Sequence, residues 1–113
     1  MLFRSNQDQI EAVDHMQSVL KTTIGFLNQV REREWTIRLC ELQHQTMLEP
    51  ATGAAALLIA FTGERGLDSL YLSGPRNGHA LSERQEIQAN GKLHVIRAEL
   101  LHSAKEVVRV HAE

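Results

Sequence analysis

The chain has 113 residues, 42% of them apolar and 23% charged, which suits one globular domain around a single core and excludes a large multidomain enzyme. Twelve Lys plus Arg against fourteen Asp plus Glu give a net charge of −2, so there is no long-range pull toward nucleic acid or an anionic membrane. One cysteine, Cys40, excludes an intramolecular disulfide framework and a multi-cysteine zinc cluster; packing alone holds the fold, and a reducing cytoplasm is the expected setting.

The opening MLFRSNQDQ carries no apolar core and does not read as a secretory signal. The longest apolar run, AAALLIAF at 54–61, is far short of the ~20 residues needed to cross a bilayer, so a soluble protein with no membrane contact is expected. Residues 6–47 contain no proline and one glycine, Gly25, among recurrent Gln, Glu, Leu, Met and Arg. That composition predicts a long helix or a helical hairpin, with Ser5, Asn6 and Asp8 as capping candidates. Pro50 then marks a boundary, and ATGAAALLIAFT at 51–62 predicts a buried helix stopped by Gly63. The segment SGPRNGHA at 73–80 predicts an exposed loop. Ser82 followed by Gln85 has capping-box spacing and Asn90-Gly91 has helix-end chemistry, so a short helix over 82–89 is expected. Beyond Lys92, helical spacing places Leu93, Ile96, Leu100, Ala104, Val107 and His111 on one side. The fold class is therefore mainly α, a single small helical domain over 1–113; the alternative is α+β, with antiparallel strands near 55–73 and 92–112.

At 100° per residue, the first helix has two apolar sides. Ile10, Val13, Met16, Leu20, Ile24 and Leu27 form one, and Val19, Phe26 and Val30 form the other. Carried onward, Trp35, Leu39 and Leu42 rejoin the first side, while Ile37, Cys40 and Met47 extend the second. Such a helix needs cover from both directions. Either a second copy or another protein supplies it, or the helix breaks between Val30 and Trp35 and folds back on itself. Arg31 and Arg38 lie on the first side with Glu34 between them, as a solvated ion-pair ladder at a rim, and Trp35 beside arginines has the composition of a binding hot spot. Val19, Phe26, Val30, Trp35, Ile37, Arg31 and Arg38 are thus the expected interface residues.

Chemistry is sparse. Two Glu-x-x-His pairs, Glu41/His44 and Glu99/His102, have the ligand spacing of carboxylate-bridged dimetal bundles, which also require a Glu from each of two further helices. On a helical reading Glu99 and His102 point away from the Leu93/Ile96/Leu100 stripe, toward water. Nucleophile signatures such as G-x-S-x-G are absent, Cys40 reads as a packed thiol, and neither glycine-rich loop has phosphate-binding spacing. Arginines and lysines are dispersed among glutamates, and forcing 51–73 into a helix-turn-helix leaves its second helix without base-reading side chains. The expected function is a small non-enzymatic protein-binding regulator, an adaptor or inhibitor that self-associates as a homodimer and masks a surface on a partner, with no cofactor and no metal. A carboxylate/histidine metal enzyme and a nucleic-acid-binding regulator are the alternatives.

Overall fold

A computed structural model describes residues 6–74 and 81–112. Among these are four α-helices, α1 (Asn6–Gln29), α2 (Arg33–Leu48), α3 (Pro50–Ala60) and α4 (Glu83–Ala112), with one 3-10 turn at Leu67–Ser69 and no strand. The protein is mainly helical, and the strand alternatives near 55–73 and 92–112 are not formed. The helices make an elongated bundle of 54 × 22 × 21 Å in which each packs mainly on two neighbours, in the order α1, α2, α3, α4 and back to α1.

The 6–47 segment is a hairpin. Its two apolar stripes explain why the long helix breaks: α1 sits between α2 and α4, so each of its sides has a wall. Met16, Leu20 and Leu27 of the first stripe are fully buried, and Val19, Phe26 and Val30 of the second are buried at 6–7% exposure. Phe26 and Val30 lie beside Leu81, Ala89 and Lys92, with the Lys92 ammonium 5.1 Å from the Phe26 ring centre. The N-terminal half of α4 thus supplies the second cover. Ser5, one of the capping candidates, lies outside the described residues.

Pro50 occupies the first turn of α3, and Glu49 serves both as the end of α2 and as the residue preceding α3. This abrupt reversal brings α2 and α3 so close that a Cβ on Gly53 would stand 2.6 Å from the Thr46 backbone. Helix α3 ends at Ala60, and Gly63 takes the left-handed conformation (φ 89°) two residues after the Phe61 cap.

The capping box is present, with the Ser82 N–H donating to Gln85 Oε1 at 2.8 Å and the Gln85 N–H to Ser82 Oγ at 3.3 Å. The helix it starts does not stop at Asn90-Gly91, however; it continues to Ala112. Leu93, Ile96, Leu100, Ala104 and Val107 form the buried stripe read from the sequence, with His111 half-buried at its end. Asn90 has a different use. Its side-chain NH2 donates to the carbonyls of Leu72 and Glu86, and its oxygen accepts the Leu72 N–H, all at 2.8 Å. Seven residues on, Arg97 Nη1 donates to the carbonyls of Leu67 and Leu70 at 2.9 Å and Asp68 at 3.2 Å. Together they fasten the extended segment 70–73 and the turn before it along α4.

Two loop expectations change accordingly. Ser73, expected in an exposed loop, is buried, because Asn90 holds its neighbour Leu72 against α4; residues 75–80 of that loop lie outside the described residues. The second helix of a helix-turn-helix is not formed either, since 67–69 makes only a single turn and extended backbone follows.

Replacing Asn90 by Ala removes a donor and an acceptor from the amide and carbonyl of buried Leu72, which costs about 2–3 kcal/mol of stability. Urea unfolding measures that loss, and native-state hydrogen exchange will show the Leu72 amide losing protection before the amides of α1.

Candidate functional site

Two surface features meet on α2. The first is the turn that begins it. Leu27 and Asn28 carbonyls accept from the Glu32 and Arg31 N–H groups at 2.9 and 3.1 Å, the hydrogen-bond pattern of a Schellman motif. The motif requires a left-handed residue at its C′ position, and Arg31 fills it with φ 63°. Glu32 then caps α2, its carboxylate accepting from the Trp35 N–H at 3.0 Å.

Beside this turn opens a cleft of about 890 Å³. Arg31, Arg33, Glu34 and Trp35 form one wall, and Glu64, Arg65, Leu70 and Tyr71 the other. Trp35 itself is 4% exposed. Arg38 lies over it, guanidinium carbon 3.9 Å from the ring centre, and donates to the Arg65 carbonyl at 3.3 Å. This replaces the expected Arg31/Glu34/Arg38 ladder: the planar guanidinium gains an aromatic face and a carbonyl that a solvated carboxylate does not provide. With Glu32 also lining it, the cleft carries three arginines and three glutamates, together with the exposed Tyr71.

The second feature is the outer face of α2. Trp35, Leu39 and Thr46 point into the bundle, and on the opposite side Ile37, Met47 and Leu48 are 59%, 68% and 70% exposed. Cys40, Glu41 and His44 lie between them and are exposed as well. Cys40 is therefore not the packed thiol expected from its Leu39 and Leu42 neighbours; it faces the solvent side of α2, about 100° from Leu39.

The seven expected interface residues divide between these surroundings. Val19, Phe26, Val30 and Trp35 are in the core of the single chain. Ile37 is exposed on the outer face, Arg31 is exposed at the turn, and Arg38 is half-buried against Trp35. The second apolar stripe thus splits at the turn. Its α1 part is covered by α4, and its α2 part, Ile37, Cys40 and Met47, faces out. Leu48 and Tyr71 are exposed beside these features and have no counterpart in the sequence expectation, Leu48 because it neighbours the Glu49-Pro50 boundary and Tyr71 because its segment has no clear period; Ile10, Ile59, Ile87 and Val95 are exposed elsewhere on the bundle.

The Glu-x-x-His pairs stay apart. Glu41 and His44 are on α2, Glu99 and His102 on α4, all four exposed, and α2 and α4 are not neighbours in the bundle. Among the described residues no three His, Cys, Asp or Glu side chains group to hold a metal ion, and no helix is long and apolar enough to cross a membrane. No family model, curated protein or solved structure matches the chain.

An arginine in left-handed backbone is strained by about 1 kcal/mol relative to glycine. Arg31→Gly is expected to raise the urea midpoint, by about 0.5–1 kcal/mol after allowing for the added freedom of the unfolded chain. Phe26→Glu, by contrast, exchanges a buried ring for a carboxylate between α1 and α4 and is expected to lower the unfolding midpoint, at a cost of about 3–5 kcal/mol.

Proposed function

We propose that this chain is a non-enzymatic protein-binding module that docks through the outer face of α2, acting as an adaptor or inhibitor that masks a surface on its partner. The observation that carries this reading is the exposure of Ile37, Met47 and Leu48 on one side of a helix whose other side is fully used by the core. Scattered exposed apolar residues are ordinary on any protein; here Ile37 stands at one end of a helix face and Met47 with Leu48 at the other, with Glu41 and His44 between them, a mixed apolar and polar face of the kind found at protein interfaces. Leaving the three apolar side chains in water forgoes about 3–5 kcal/mol, a sizeable fraction of the ~5–15 kcal/mol that stabilises a domain. The cleft at the head of α2 adds arginines and the exposed Tyr71, residue types enriched at binding hot spots, so a face with apolar ends adjoins a polar, charged cleft. A helix or extended segment from another protein matches that combination.

The test is a paired substitution. Ile37→Glu with Leu48→Glu places two charges on that face without touching the core. Val95→Glu, on the exposed side of α4, is the control. Circular dichroism and unfolding midpoint are expected to be unchanged in both. Stoichiometric capture of a partner from a lysate of the source cells should fall at least about tenfold for the double variant and remain for the control; equal capture by all three proteins contradicts the assignment.

A further inference from the structure

We infer that the outer face of α2 is a self-recognition surface, on which a second copy of this chain seats its own α2 antiparallel about a two-fold axis; the inference rests on the protein-binding reading of the same face. Four exposed residues mark the seam, Ile37, Glu41, His44 and Leu48. Their spacing of four, three and four is that of helices lying side by side, and it is unchanged by reversal. With the axis passing between the two helices at the level of Leu42 and Gln43, Ile37 of each copy meets Leu48 of the other and Glu41 of each meets His44 of the other. Every contact is made twice, as an isologous interface requires.

The polar pair selects the orientation. In a parallel arrangement Glu41 would face Glu41 and His44 would face His44, setting two carboxylates together. The antiparallel one lets a His44 ring N–H donate to a Glu41 carboxylate, whether the ring is neutral or charged. Apolar residues then close the two ends of the seam, and Met47 and Cys40 flank it on one side. An unrelated partner would have to supply this alternation of apolar, acid, imidazole and apolar groups independently, whereas the chain supplies it to itself.

The size of the face sets the strength. Sixteen residues of α2 offer a strip of roughly 24 by 11 Å, well below the ~800 Å² that each partner brings to a standard interface. The dimer is accordingly weak and exchanging.

Sedimentation velocity of the full chain from about 5 to 500 µM, a range that covers micromolar to sub-millimolar dissociation constants, reads the association directly. The wild type is expected to move from its monomer mass of 12.7 kDa toward twice that value. Glu41→Arg should raise the dissociation constant at least about tenfold, and adding His44→Glu to it should restore most of the loss, since the exchanged pair has the same complementarity. Both side chains involved are on the surface, so stability is unaffected. A wild type that stays at monomer mass throughout overturns the inference, and so does a dimer indifferent to Glu41→Arg. If the chain stays monomeric while Ile37→Glu with Leu48→Glu still abolishes capture of another protein, self-recognition falls and the protein-binding reading stands.

Discussion

The bundle depends on how α4 is covered where α3 ends. Helix α3 has eleven residues and α4 thirty, about 16 Å against 45 Å of length, so α3 walls only part of its neighbour. The remainder is closed by the segment from Leu67 to Ser73, which after one 3-10 turn has no helix or ladder to satisfy its backbone. A buried peptide group without a partner costs about 1–3 kcal/mol, and several in succession would pull the segment into water. Arg97 and Asn90 prevent this by taking up four carbonyls and one N–H between them, the carbonyls of Leu67, Asp68, Leu70 and Leu72 and the amide of Leu72. That satisfaction is what permits Leu67 and Leu72 to be fully buried. The same clamp fixes Leu70 and Tyr71, the far wall of the cleft, so the geometry of the candidate site is set from α4.

The turn at Arg31 is the second organising point. A continuous helix through residues 6–47 would leave Val19, Phe26 and Val30 on one flank and the Ile37, Cys40 and Met47 extension on that same flank, uncovered. Breaking the helix after Gln29 separates their fates. The α1 residues turn to α4, and α2 reverses so that Trp35 and Leu39 take the core and the other side faces out. The Schellman hydrogen bonds enforce the reversal, and the chain accepts a left-handed arginine there, which places a guanidinium at the mouth of the cleft.

Much of this architecture was legible from periodicity. The stripe of Leu93, Ile96, Leu100, Ala104 and Val107, the boundary at Pro50, and the Ser82/Gln85 cap follow from spacing alone, because each is local or repeats at the helical period. Asn90-Gly91 misled for a physical reason: asparagine before glycine ends a helix when its side chain bonds its own backbone, but here that side chain is drawn to Leu72, eighteen residues away, and the helix runs on. Nothing local records such a partner. The side on which Cys40 lies was lost similarly, since adjacent leucines mark a helix as amphipathic without saying where the core is. For the candidate site, Ile37 and the arginines were visible as residues out of place on an apolar wheel. The burial of Phe26 and Val30 was not, because it depends on α4, fifty or more residues further along.

Helix α2 is held more tightly than a helix on the flank of a small bundle needs to be. Glu32 caps its start, Thr46 is pressed against Gly53 at its end, and Trp35 is sealed by the Arg38 guanidinium. These constraints all act on its inner side and its termini, leaving the outer face fixed in shape but free of contacts within the chain. Rigidity of this kind adds little to a core already closed by Leu39, Leu57 and Leu100. At an interface it has a larger effect, because side chains on an immobile backbone lose less entropy when covered. The apolar residues of α2 therefore stand on the part of the molecule best suited to present them, and that coincidence of fixed backbone with uncovered surface is the physical basis for reading α2 as the face through which the protein acts.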